Sequence, residues 1–572
     1  MRSLIIIIWC NLICLLSYGQ NKLEGIVRNE NDIKLYNVLI NVNSTQTSYY
    51  TDKEGKFEVW INKSEDTLSF SLNGYQTLKL VLSSSVIHHI VLKKQLQNRK
   101  QLNSFILQQQ DHTTIQNYGN ETYYTLIENP VVNTSQSQSV SFTINTNRAS
   151  YSNIRRFIGM EDRVPSDAVR IEEMLNYFNF NYTNPYKNEV FRASSVISSC
   201  PWNNKHKLMF VSVSAQKLNL ETIPPSNLVF LIDVSGSMDL PNKLPLIKSG
   251  LRLLIKNLRA IDSVSLVVYG SMVSVPMEGV SGIQKDTLNN AVESLIAEGS
   301  TPGEAGLKLA YKVAKRRFIA GGNNRIILAT DGDFNVGVST EKELEELIEQ
   351  QGETGIHLTC LGVGMGNYKD SKLSLLAFKG QGNFAYIDNE QEAEKILVTE
   401  LTRTLFTVAE NVYLTVRFDS SKVKEFRLIG YENEKSAAAD SLSKLEGGEI
   451  GSGHSLMVLF EIATIPKIMN NKPIANLNIH YRLPNTTKEY ENQYKCLYNF
   501  LPYRNLDSSL KKAINVTMLG MKLKGSSYAK RISWSFIENN AKKIFVIENP
   551  LDQQYLLLIS KAKKIYKKRN KE

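Results

Sequence analysis

Cysteine is scarce in this 572-residue chain: five residues, at 10, 14, 200, 360 and 496. No CxxC pair and no Cys/His cluster occurs, which excludes the usual zinc frameworks and leaves room for one disulfide at most. Cys360 lies in the apolar run IHLTCLGVG and reads as a small buried hydrophobe. The seven histidines (88, 89, 112, 206, 357, 454, 480) are scattered. There is no HExxH, no GxxxxGK[ST] and no GxSxG, so a zinc protease, a P-loop and a serine hydrolase elbow are all unsupported. Long apolar runs are confined to the first twenty residues; no later stretch could span a bilayer as a helix. A formal net charge of +11 hints at nucleic acid, but the basic residues are spread out and the one dense cluster, KAKKIYKKRNKE, reads as a solvated end.

What is present begins with a leader. Residues 1–20, MRSLIIIIWCNLICLLSYGQ, have a basic start at Arg2, an apolar core over 4–16 and a small-residue cleavage site near Ser17–Gly19. A cleaved signal peptide is expected, hence export to periplasm, outer membrane surface or medium. Residues 21–95 alternate short β-rich runs with turn signals, predicting a small antiparallel sandwich. Residues 96–147 are rich in Gln, Asn, Ser and Thr and read as a polar linker running into a flanking segment. Residues 148–225 form that segment, with helical spacing in PSDAVRIEEMLNYFNF after a Ser166 or Asp167 cap.

Over 226–405 strand and helix alternate. NLVFLID, SVSLVVYG, NRIILAT, IHLTCLGVG and NFAYID read as strands, with amphipathic helices over 243–258, 303–318, 340–351, 370–379 and 390–405. Near-continuous apolar strands separated by helices predict a doubly wound, Rossmann-like α/β domain. Residues 406–572 return to antiparallel β, then helices over 507–523 and 552–567; the strands on both sides of the α/β domain are expected to form one accessory module.

Ligands of open α/β sheets sit at the carboxyl ends of the strands. Asp233 ends the first strand of this domain, and Ser235 and Ser237 follow at alternate positions in DVSGSM. Thr301 in EGSTPGEAG and Asp331 in LATDGDFN occupy two further loops of the same edge. Two carboxylates and three hydroxyls, with no His or Cys, suit a hard cation: Mg²⁺ first, with Mn²⁺ or Ca²⁺ as alternatives. Mg²⁺ takes six oxygens at about 2.0–2.1 Å. Waters would complete its shell, and an acidic side chain from a partner is the natural replacement for one of them.

DVSGSM, STPG and TDGD, in this order, resemble the metal-ion-dependent adhesion site of von Willebrand factor type A domains. That resemblance implies Asp233, Ser235, Ser237, Thr301 and Asp331 as the metal positions. VRIEEMLNYF, NKLPLIKSG, GVGMGNYKD and Ile429–Asn433 look like a bacterial subfamily with its own flanking segment and C-terminal domain, covering about 128–565. FTINTNRASY departs from it, with Asn145 and Asn147 where aspartates are expected. VLINVNS, TDKEGKFEV and FSLNGYQT resemble a carboxypeptidase regulatory-like sandwich common on exported proteins of the Bacteroidetes type. In related domains ligation couples to movement of the last helix, here near 390–405.

Three rivals compete at this edge. A metal-dependent phosphatase of the haloacid dehalogenase type needs a second aspartate two positions after the first, where this chain has Ser235. A nucleotide loop at Gly362–Gly366 lacks the third glycine spacing and an acidic partner strand, and reads as a tight turn. A metal-free scaffold would keep the loop as packing. Tyr368, Asp333 and Asn335 read as loop packing near the site. The reading is therefore a non-enzymatic, exported protein that binds a protein partner's carboxylate through a metal, with no nucleic-acid role.

Overall fold

The computed structural model describes residues 21–93 and 115–568, apart from 31, 37, 45–46, 62, 73–74, 85, 119–120, 145–146, 181, 220–222, 300–302, 333–340, 366–367, 401–405, 433–446, 467 and 485. The leader, Thr301, Asp333, Asn335 and Asn145 lie outside the described residues. The chain divides into two compact units, 1–109 and 110–572.

In the first unit, strand Lys56–Ile61 shows strict exposed/buried alternation, which places one face on a core and one in water. It pairs antiparallel with Asn21–Asn29, which pairs in turn, in parallel, with His88–Leu92. A second sheet runs Thr47–Tyr50, Leu39–Val42, Glu65–Ser71, Leu78–Ser83. Leu23, Val27, Phe57, Val59, Leu68 and Phe70 from the two sheets share one core. The TDKEG turn is held by Asp52, whose Oδ1 accepts from the backbone N–H groups of Glu54 (2.9 Å) and Lys56 (2.8 Å).

The second unit is built on a six-stranded sheet in the order Val273–Ser281, Ser263–Tyr269, Ser226–Asp233, Asn323–Thr330, Ile356–Val363, Phe384–Ile387. All neighbours are parallel except Val273–Ser281, which returns antiparallel. Every residue of Ser226–Asp233 is buried, as befits a central parallel strand covered on both faces. Leu228, Phe230 and Ile232 face Ile247, Leu251 and Leu254 of helix Leu244–Asn257. Val229 and Leu231 face the opposite side, with Leu307 and Tyr311 of helix Gly303–Arg316. The doubly wound expectation and this layering agree.

Around it, strands from before 226 and after 406 share sheets. Lys207–Ala215 pairs with Ser455–Thr464 over eight registered positions, from Lys207↔Ile462 to Ser214↔Ser455. Ser139–Thr143 pairs with Thr407–Phe418. These sheets close over a core of Phe142, Val211, Leu414, Phe460 and Ile479. They are not purely antiparallel: Ile197 and Ser198 pair in parallel with Phe500 and Leu501. C-terminal helices cover Ser508–Lys524, Trp534–Ile544 and Pro550–Lys568.

Several expectations change. Residues 115–143, polar enough to suggest linker, carry four short strands. They are held by buried polar bonds that composition hides: both Arg156 guanidinium Nη atoms bond Glu121 at 2.6 Å. Neither Ser166 nor Asp167 caps helix Ile171–Asn176. Asp167 instead accepts from the Tyr118 hydroxyl (2.9 Å) and the Leu126 N–H (3.0 Å). Of the expected helix over 390–405, Glu390–Glu394 is α-helical and widens to a π-turn over Lys395–Thr399, while 401–405 lie outside the described residues. There the Lys395 ammonium sits 3.0 Å from the centre of the Tyr177 ring. Cys200, Cys360 and Cys496 are buried and free.

Candidate metal centre

The site lies where the central strands end. Asp233 is the last residue of its strand and is fully buried. The chain then turns sharply: the Val234 N–H bonds the Tyr269 carbonyl (2.8 Å) and the Gly236 N–H the Gly299 carbonyl (3.0 Å). The turn after Asp233 is thereby tied to the end of strand Ser263–Tyr269 and to the loop after helix Lys285–Glu293. A short 3₁₀ turn over Gly236–Met238 follows, with the Ser235 and Ser237 hydroxyls 3.1 Å apart.

The Ser235 N–H donates to Asp233 Oδ1 at 2.9 Å, and the Thr330 hydroxyl to Asp233 Oδ2 at 2.8 Å. Burial pushes the Asp233 carboxyl up from its ordinary range; the bonds from Ser235 and Thr330 pull it down, and the neighbouring Asp331 charge adds to the rise. Asp331 is buried beside it, and the Lys243 ammonium bonds Asp331 Oδ2 at 2.8 Å. The same ammonium donates to the Ser237 carbonyl at 3.0 Å. Tyr269 is buried against this group, its phenol pushed up by burial and by the Asp233 charge.

The structure thus brings four of the five expected residues to one sheet edge. Thr301 lies outside the described residues. The donor set fits a small hard cation. The Asp331 charge raises the cost of ionising Asp233, and two hydroxyls face the same turn, with no Cys, His or third carboxylate beside them among the described residues. Among the described residues no three His, Cys, Asp or Glu side chains cluster anywhere as an alternative metal site.

Three participants were not expected from sequence: Thr330, Tyr269 and Lys243. Thr330 immediately precedes Asp331, and a hydroxyl at that place could have been noticed. Lys243 falls in the quoted NKLPLIKSG, but nothing local says that its side chain folds back onto Asp331. In the stretch Gly362–Gly366, read as a tight turn, Gly364 has φ +78°, and a Cβ there would come within 2.5 Å of Lys243 Cε; Gly366 lies outside the described residues. Tyr368 is likewise buried packing, its ring stacked on Phe384 with centroids 6.4 Å apart. Asn147 Oδ1 accepts from the Phe384 N–H at 2.9 Å, remote in role from the metal positions.

Comparison with known proteins is consistent with this layout. Residues 117–210 match a family model described as von Willebrand factor, and residues 227–399 the von Willebrand factor type A domain. Residues 403–565 match the C-terminal domain of uncharacterized protein YfbK. Over 457 residues the chain is 36% identical to uncharacterized protein YfbK of Escherichia coli, covering 75% of this chain and 79% of that one. Uncharacterized protein sll0103 of Synechocystis is 29% identical over 208 residues, covering 36% of this chain and 46% of that one. A solved von Willebrand factor type A structure from Catenulispora acidiphila covers 64% of this chain and 88% of its own, at 16% identity and a TM-score of 0.39.

Proposed function

Since the chain belongs to the family of YfbK, joining a von Willebrand factor type A domain to a YfbK C-terminal domain, we propose that it is an exported, non-enzymatic binding protein. Asp233, Ser235, Ser237, Thr301 and Asp331 hold a divalent cation, Mg²⁺ in the first place, and the site takes up an acidic side chain of a protein partner. The observation that carries this reading is the cluster of Asp233, Asp331 and two serine hydroxyls at the carboxyl edge of the sheet. When bound, the metal supplies an electrophile for an incoming carboxylate oxygen. The chain's own residues do the rest. Asp233 is held by Ser235 and Thr330, and the tied loops hold the serine hydroxyls in place.

A protein partner, rather than a small molecule, is favoured by what surrounds the cluster. Four exposed apolar side chains stand on loops at this same edge: Leu240, Met272, Ile296 and Met365, the middle two at 70% and 72% exposure. Exposed apolar groups around a polar centre are the composition of an interaction surface. Type A domains as a class mediate protein–protein interactions. No described helix is long and apolar enough to cross a membrane; we place the protein in the periplasm, on the outer membrane surface or in the medium. We read the N-terminal β-rich unit as a carboxypeptidase regulatory-like module.

The test is thermal unfolding of the full chain in EDTA and with Mg²⁺, Mn²⁺ or Ca²⁺. A ligand of the folded state at a hundred times its Kd adds about 2.7 kcal/mol, so the wild type should melt higher by a few degrees. Asp233→Ala should show no shift while keeping its circular dichroism spectrum. A wild type indifferent to all three ions overturns the metal reading.

A further inference from the structure

Lys243 is in an unfavourable place twice over. It is 4% exposed, whereas lysine is almost never buried without a partner. It also sits at the N-cap of helix Leu244–Asn257, the end where the helix dipole disfavours a cation. Its stem lies across Gly364, a position that leaves no room for a side chain. Its ammonium bonds Asp331 Oδ2 at 2.8 Å and the Ser237 carbonyl at 3.0 Å. One buried cation therefore touches two of the three loops that carry the metal positions.

We propose that Lys243 sets the charge of the metal centre and so makes it selective for an anionic ligand, a role that rests on the metal reading above. Two carboxylates alone would neutralise a divalent cation and leave no attraction for a further carboxylate. The Lys243 ammonium, bonded to Asp331, offsets carboxylate charge, so the loaded site is more positive than it would be without this lysine. That added positive charge attracts the partner's carboxylate. Lys243 weakens the hold on the bare ion, through repulsion at close range in a buried site, and couples metal binding to ligand binding. It is a positioning and specificity-determining residue: it holds Asp331 and Ser237 in place without itself being a metal ligand.

The test is calorimetric titration of the full chain with Mg²⁺, in chloride and in acetate at matched ionic strength. The variants are Lys243→Met, Lys243→Gln and the charge-retaining Lys243→Arg, each checked for folding by circular dichroism. For the wild type, Mg²⁺ should bind about tenfold more tightly in acetate, within the usual range of coupling between two sites. Lys243→Met and Lys243→Gln should bind Mg²⁺ in chloride about tenfold more tightly than wild type and lose the acetate dependence, while Lys243→Arg keeps it. If the neutral variants that fold bind Mg²⁺ no better than wild type, or keep the acetate dependence, Lys243 is structural and the proposal falls. Absence of Mg²⁺ binding to the wild type overturns the metal reading, and the proposal with it.

Discussion

Two groups of buried charges in the same unit behave differently. At the sheet edge, the Lys243 ammonium bonds Asp331, while Asp233 is held by the Ser235 N–H and the Thr330 hydroxyl. Beneath the last helix of the α/β domain, the charges balance. Arg155 Nε bonds Asp388 Oδ2 at 2.7 Å, while Nη2 bonds Glu392 at 2.7 Å and also reaches Asp388. Arg155 Nη1 reaches the Tyr177 hydroxyl (3.0 Å) and Gln554 (2.6 Å), and Tyr177 donates to Glu392. Lys395 lies alongside as a second cation, its ammonium pulled down to about 8 by burial against the charges of Glu392 and Glu400. The balanced network ties the flanking segment and the C-terminal helices to the helix that starts at Glu390. A charge group that closes on itself joins parts; the sheet-edge group is the one we propose takes up a cation.

The largest effect that could break this contrast is in the balanced network. Arg155→Met leaves Asp388 and Glu392 facing each other in a buried place. Removing one partner of a buried ion pair costs about 3–5 kcal/mol. Denaturant unfolding should show a loss of that order; a loss below about 1 kcal/mol would mean the network is not what joins these elements.

An intermediate effect concerns a third group. The Glu172 carboxyl is pushed up to about 7 by burial first and the nearby Glu432 charge second. Its Oε2 accepts from the Tyr431 N–H at 3.0 Å, and Lys524 pairs with Glu432 at 2.7 Å. Because the folded state binds this proton more tightly than the unfolded chain, the stability it contributes is full below about 4.5 and lost as pH rises through about 7. Glu172→Gln should flatten that slope in melting experiments between pH 4.5 and 7.5. An unchanged slope would assign the pH dependence elsewhere.

The smallest effect sharpens the contrast from the other side. Asp233→Asn removes a buried charge that repels Asp331. In EDTA it should leave unfolding free energy within about 1 kcal/mol of wild type or raise it, while abolishing the Mg²⁺ shift. A large destabilisation would place Asp233 with the architectural carboxylates.

Much of the fold was legible along the chain. The apolar runs of the central strands and the three- and four-residue steps in 243–258 depend on local pattern, and both emerged where expected. The gathering of Asp233, Ser235, Ser237 and Asp331 at one sheet edge was legible for the same reason: a strand end carries its loop with it. Residues 115–143 were not, because Glu121 and Tyr123 are polar letters whose burial depends on Arg156 and Asn153, some thirty residues away. Helix Trp534–Ile544 also went unread between its two recognised neighbours.

Sequence alone determined the α/β core, the order of the three site loops and the chemistry of their oxygen donors, because each is written in short-range pattern. Tertiary structure alone decided which charges meet. Only folding brings Lys243 across eighty-eight positions to Asp331, and Arg155 across more than two hundred to Asp388 and Glu392. A buried charge is defined by its partners, and partners so far apart in sequence are chosen by the packing of strands and helices between them.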